Sequence, residues 1–249
     1  MRAGQSLLLI ASVAVGLACR GQSKITEGAP VSAPPKAQSS LPSTTSEPAK
    51  STGSVVVGPL ERDAFMVAAV DDSVDPFAGT ATVPVGMRLR AEKVSLGLQV
   101  EATRQYLFLA AKPDAPFQSA MTPFRDWLAG IVLPEGRRFA WGKTQPGTPA
   151  DSGWRSYIVE IATVIDGTAV ERVTASAPSE EFPHLALELT ASGARSFEDF
   201  TRRHLGRRAA LMIRGQVQSA PVIVTVIAGP KLTLTARDGE AATLLESLR

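Results

Sequence analysis

From residue 59 onward the apolar residues fall into short runs bounded by polar or turn-forming ones. Ala64 to Val70 is a near-continuous apolar run ended by Asp71-Asp72, and Gln105 to Ala111 is a second ended by Lys112-Pro113. Runs this short and this apolar suit buried strands. Phe139 to Trp141 and Tyr157 to Ile161 read as two more. Between them, Thr122-Pro123 predicts a helix start, with Thr as N-cap and Pro at the first helical position. That helix places Phe124, Trp127, Leu128 and Ile131 on one face and stops at Pro134-Glu135-Gly136.

The C-terminal portion is the most regular. His184 to Leu189 alternates as a half-buried strand with Leu185, Leu187 and Leu189 inward. Thr190 caps a helix that buries Ala194, Phe197, Phe200 or Thr201, and Leu205, while Glu198-Arg202 and Asp199-Arg203 form i,i+4 pairs outside. Gly206 is the expected terminator. Ala209 to Ile213 and Val217 to Ile227 read as strands around the turn Arg214-Gly215-Gln216. Gly229-Pro230 precedes another strand, Lys231 to Thr235, and Asp238 caps a final helix burying Ala241, Leu244, Leu245 and Leu248. Strand, helix, two or three antiparallel strands and helix predict an α+β fold, a ferredoxin-like antiparallel sheet with helices on one face over 150–249. A smaller α+β portion, 59–149, precedes it.

The first 58 residues have another character. Arg2, the apolar run Leu7 to Val15 and the small residues Gly16-Leu17-Ala18 read as an export signal over 1–18, too short to span a bilayer. The sole cysteine follows. Leu17-Ala18-Cys19 resembles the lipobox of bacterial lipoproteins, which implies acylation of Cys19 and attachment to a membrane. Residues 19–58, rich in Pro, Ser and Thr with almost no large apolar side chains, predict a disordered tether. Arg20 after the cysteine favours the outer over the inner membrane, on the periplasmic side.

Composition removes several classes of function. One cysteine forms no disulfide within the chain, and with two histidines it cannot complete an ordinary zinc site. Twenty-six Lys and Arg against 24 Asp and Glu give no case for nucleic acid. Asp71, Asp72 and Asp75 lack the glycine and bidentate glutamate of a calcium loop, so a solvated strand-end loop is expected. The arginines between Thr201 and Arg208 read as cations at a helix C-terminus. His184 and His204 accompany no serine or metal motif, and the tryptophans 127, 141 and 154 read as core or rim. Catalytic residues, metal ligands and cofactors are expected to be absent.

Leu187-Glu-Leu-Thr-Ala-Ser-Gly193-Ala194-Arg-Ser-Phe197, then Gly206-Arg-Arg-Ala209 and Gly215-Gln-Val-Gln-Ser219-Ala220-Pro221-Val222-Ile223, resemble the head subdomain of SecD and SecDF. These are bacterial protein-export membrane proteins. A weaker likeness extends upstream over Phe65 to Phe77 and Tyr157 to Val173. The resemblance implies a polypeptide-binding role for the head, with exported polypeptide or Sec translocon components as partners. It makes Gly193, Ala194, Phe197, Gly206, Gly215, Ser219, Ala220 and Pro221 the family-motif residues. Ser219 to Ile223 offers either an edge for strand addition or, through Pro221, a block against it. Two readings follow: a lipid-anchored polypeptide binder in export or envelope assembly, and a structural module docked on a fixed envelope or translocon complex. Arg214 replaces the acidic residue usual at the family turn.

Overall fold

Alternation and apolar runs produce strands over most of the chain. The computed structural model describes residues 55–79, 82–97, 100–110, 116–144, 152–162, 164–177, 183–236 and 240–249, all within the compact unit Thr52–Arg249. The predicted signal, Cys19 and the tether up to residue 54 lie outside the described residues. The first strands are β1 (Val55–Val57), β2 (Phe65–Ala69), β3 (Met87–Ser95) and β4 (Glu101–Ala110). Helices α1 (Phe117–Met121) and α2 (Arg125–Ala129) follow, joined by a 3₁₀ turn, and then β5 (Arg137–Lys143), β6 (Gly153–Glu160), β7 (Ile165–Asp166) and β8 (Val170–Ala175). The chain ends with β9 (His184–Leu189), α3 (Ala191–Arg203), β10 (Ala209–Ile213), β11 (Gln216–Ser219), β12 (Lys231–Thr235) and α4 (Glu240–Ser247).

The α+β class is as expected, sheet-dominated with few helices, but the strands are divided between two sheets. One has the order β1-β8-β9-β12 and the other β3-β4-β6-β5-β11-β10-β2-β7. The antiparallel rule has one exception, β5 alongside β11. Strands on either side of residue 149 are therefore interleaved, because β2 pairs with β10 and β5 with both β6 and β11. The tether boundary also moves. Val55–Val57 pairs with Arg172–Thr174, so sheet structure begins before residue 59.

The longer sheet curls back on itself. Val70 bridges Val159 and the Asp71 N–H donates to Ile158 O at 2.9 Å, so β6, β5, β11, β10 and β2 close into a ring. Its interior is small: Ala68, Val70, Ala140, Val159, Ala210, Met212 and Val217. Because side chains alternate along a strand, the other face of β2 and β10 supplies Phe65, Val67, Leu211 and Ile213 to a larger core. Leu185, Leu187 and Leu189 of β9, Phe197 and Phe200 of α3 and Leu245 of α4 complete it. A third cluster places Trp141 and Trp154 against Phe77, Met121 and Phe124, with Trp127 packed on it. The tryptophans form core, not a platform.

Two local expectations fail for stated reasons. Thr122 caps no α-helix; its hydroxyl donates back to Gln118 O at 2.8 Å, closing α1, and Thr122-Pro123 open a 3₁₀ turn that leads into α2. The strand expected over 217–227 ends at Ser219; Pro221, without an N–H, leaves one bond of the ladder unmade, and an isolated bridge between Arg208 and Val222 follows it. The Asp238 cap lies outside the described residues.

Candidate functional site

The motif residues divide between the core and one surface segment. Thr190 caps α3 by accepting from the Gly193 N–H at 3.1 Å. A Cβ on Gly193 would lie 2.9 Å from both the Cβ and carbonyl oxygen of Ala169, so only glycine permits the approach. Ala194 packs at the rim of the larger core and Phe197 lies inside it, its ring 6.2 Å from Phe200. These three build the fold. Gly215, at φ +75°, follows Arg214 at φ +48° in the β10–β11 turn, where both residues of a tight hairpin turn take positive φ. The Arg214 guanidinium holds Glu61 at 2.5 Å and donates to Ser247 O at 2.9 Å. The departure at the turn tip thus has its own acidic partner, which raises the Arg214 pKa through that hydrogen bond.

Gly206, Ser219, Ala220 and Pro221 come together. Gly206, at φ +77°, donates to Ile223 O at 2.8 Å, and Ala209 N–H donates to Pro221 O at 2.9 Å. Ser219 faces Leu211 across the hairpin, and Ala220 packs beside the ring interior. Beyond them Ile223 is buried, whereas Val222 and Val224 are 40% and 77% exposed. Thr201, fully buried in α3, anchors the far end of the segment by accepting from the Ile227 N–H at 3.0 Å.

Behind this segment lies a charge cluster that pattern reading misassigns. Asp71 and Asp72 are buried, not solvated. Arg208 donates to both Asp72 oxygens, at 2.9 and 2.5 Å, and reaches Glu92 at 3.1 Å. Arg208 therefore serves Asp72 and not the end of α3. Arg155 makes a bidentate contact with Glu92 while its guanidinium stacks between Tyr106 and Tyr157, 4.2 and 4.5 Å from the ring centres. Arg137 Nε donates to Asp71 at 2.6 Å, and the Ser73 N–H donates to the same carboxylate.

Burial alone would push the Asp71 carboxyl up, but hydrogen bonds from Ser73 and Arg137 outweigh it and hold the carboxyl below its usual range. Glu92 behaves likewise through Arg155 and Arg208. Burial raises the Tyr157 hydroxyl. Two cavities adjoin the cluster: one of about 30 Å³, of water size, and an open one of about 290 Å³ lined by Asp72, Ser73, Ser95, Leu96 and Arg207. Among the described residues no group of three or more His, Cys, Asp or Glu is placed to hold a metal. The cluster's ion pairs clasp the end of β2 to β3, β5, β6 and the start of β10. Its one sequence signal is two acids directly behind an apolar strand; the partner Arg208 stands far along the chain.

Residues 144–249 match the family model described as the SecDF P1 head subdomain. Protein translocase subunit SecD of Sebaldella termitidis is 38% identical over 69 residues, covering 28% of this chain and 17% of that protein. Protein translocase subunit SecDF of Thermus thermophilus is 38% identical over 64 residues, covering 25% of this chain and 9% of that protein. The chain thus spans a small part of the length of these relatives. A solved structure of SecDF, described as a membrane component that enhances protein export, aligns over 74% of this chain and 92% of its own, at 17% identity and a TM-score of 0.32.

Proposed function

Because residues 144–249 match the SecDF head subdomain, we propose that this chain is a non-enzymatic, lipid-anchored periplasmic protein that binds polypeptide and assists protein export or envelope assembly. The observation that carries the reading is the exposure of Val222 and Val224 on the segment following the family motif Ser219-Ala220-Pro221. An apolar, β-branched surface strip suits an extended chain better than a small molecule. Acylation at Cys19 supplies the anchor, in the outer membrane in preference to the inner. Among the described residues no helix is long and apolar enough to cross a membrane. The partners are exported polypeptide or components of the Sec translocon.

A photo-crosslinking residue in place of Val224 tests the reading in cells. Client binding yields a smear of unfolded exported chains; capture of a single folded partner in fixed ratio overturns it. Labelling with radioactive palmitate tests the anchor, with label expected on the wild type and lost in Cys19→Ser. The clasp and the interleaved sheet favour a second reading, a structural module docked on a fixed envelope or translocon complex. They tie the head-like residues to the strands before them. Pull-down from gently solubilised membranes returns stoichiometric partners in that case.

A further inference from the structure

The route of the chain after β11 decides whether Pro221 opens or closes this surface. Residues directly opposite in an antiparallel pair exchange both backbone hydrogen bonds or neither. Ile223 N–H donates to Arg207 O at 2.8 Å and Ala209 N–H donates to Pro221 O at 2.9 Å, bracketing the bridge between Arg208 and Val222. That is the pattern of a pair exchanging neither bond. The N–H and C=O of Val222 therefore turn outward, away from residues 207–209. Pro221 holds the complementary position, where its missing N–H falls on the side of Ala209. A proline guards an edge only by occupying an outward donor position. Pro221 leaves one bond of the inner ladder unmade, the ladder resumes at Ile223, and the outer one stays intact.

The place beside this edge is open among the described residues. β5 pairs with β11 only at Gln216 and Val217, and the Thr144 N–H then donates to Gly153 O at 2.9 Å as the chain turns into β6. No described residue bonds the backbone of Val222 or Val224. What pairs with outward N–H and C=O groups at alternate residues is another extended backbone. What packs beside two exposed valines is a β-branched apolar residue. Arg208, opposite Val222, is engaged by Asp72 and Glu92 and so asks for no acidic partner.

We infer that the outer edge from Ala220 to Val224 takes one extended polypeptide strand by backbone pairing, with β-branched apolar side chains beside Val222 and Val224. This rests on the polypeptide-binding reading and gives it a place and a register.

The probe is a fluorescein-labelled peptide of alternating Val and Thr flanked by lysines, titrated with the full-length chain by fluorescence anisotropy. Two further peptides carry N-methyl groups on alternate backbone nitrogens, one on the odd and one on the even positions. A strand can present either edge, but only one edge also sets the valines beside Val222 and Val224, so the peptide methylated on that edge loses binding at least about tenfold while the other stays within about twofold. Val222→Pro removes the outward donor and weakens the unmethylated peptide about fivefold, as expected for one lost hydrogen bond.

Equal binding of the two methylated peptides overturns the inference, as does unchanged binding by a folded Val222→Pro. So does a dimer of the chain that Val222→Pro dissociates, since the edge then belongs to a second copy. If circular dichroism shows Val222→Pro unfolded, the methylated pair decides alone. Reduced carboxymethylated α-lactalbumin separates the two levels. Its equal binding to wild type and variant leaves polypeptide binding standing without this edge; failure of both it and the peptide to bind removes the functional reading too.

Discussion

The larger core and the ring interior share β2 and β10 yet are built on opposite rules. On one face of these strands Phe65, Val67, Leu211 and Ile213 meet the phenylalanines of α3 and the leucines of β9. On the other, Ala68 and Ala210 meet Ala140, Val159 and Val217 across a closed ring. Bulk brings two sheets and two helices together; mostly small side chains, with Met212 as the long exception, let five strands close. The same pair of strands thus reads as a packing surface from one side and as a spacing constraint from the other.

The strongest way to break this comparison is to remove one side of the ring. A fragment of residues 150–249 lacks β2 and β5, and we expect no cooperative urea transition from it, monitored by tryptophan fluorescence and circular dichroism. A sharp transition would show that the head-like strands need no ring. Next in size, Phe200→Ala in the larger core is expected to cost about 3 to 5 kcal/mol in urea unfolding. In the ring the sign of sensitivity reverses. Ala210→Leu adds volume where none is free and should cost about 1 to 3 kcal/mol, whereas the same gain at a rim position of the larger core, Ala194→Leu, should cost less.

The smallest expected effect is on the clasp. The folded-state pKa values of Asp71 and Glu92 are depressed, so their contribution is complete above the ordinary carboxylate range and is lost as pH falls through the folded values. The midpoint of urea unfolding should therefore be flat near neutrality and fall below about pH 4. In Asp71→Asn the acid limb should be shallower.

Much of the larger core was legible because its elements carry their own periodicity. The alternation of β9 and the amphipathic face of α3 need no knowledge of what lies across from them, and Thr190 marks the helix start by its own hydroxyl. The ring was not legible. Nothing in Arg137–Lys143 says that Trp141 will lie parallel to Gln216. An alanine in a strand carries no sign that it faces a closed interior. The clasp was misread because Asp71-Asp72 after an apolar run looks like a strand end meeting water, and its cations come from β5, β6 and the segment before β10 only after folding. In the functional segment the motif Ser219-Ala220-Pro221 was found, but the direction of Pro221's missing donor depends on the pairing with Ala209.

Ring closure also sets an order in time. β2 ends at Ala69 and its partner β10 begins at Ala209, so a chain made from its N-terminus carries the apolar run Phe65–Ala69 without that partner while 140 further residues are added (209 − 69). At about 5 to 20 residues per second that wait is on the order of ten seconds. During it the run has at most the two-residue β7 and the end of β6 beside it, and the ring forms only once β10 and β11 have been synthesised.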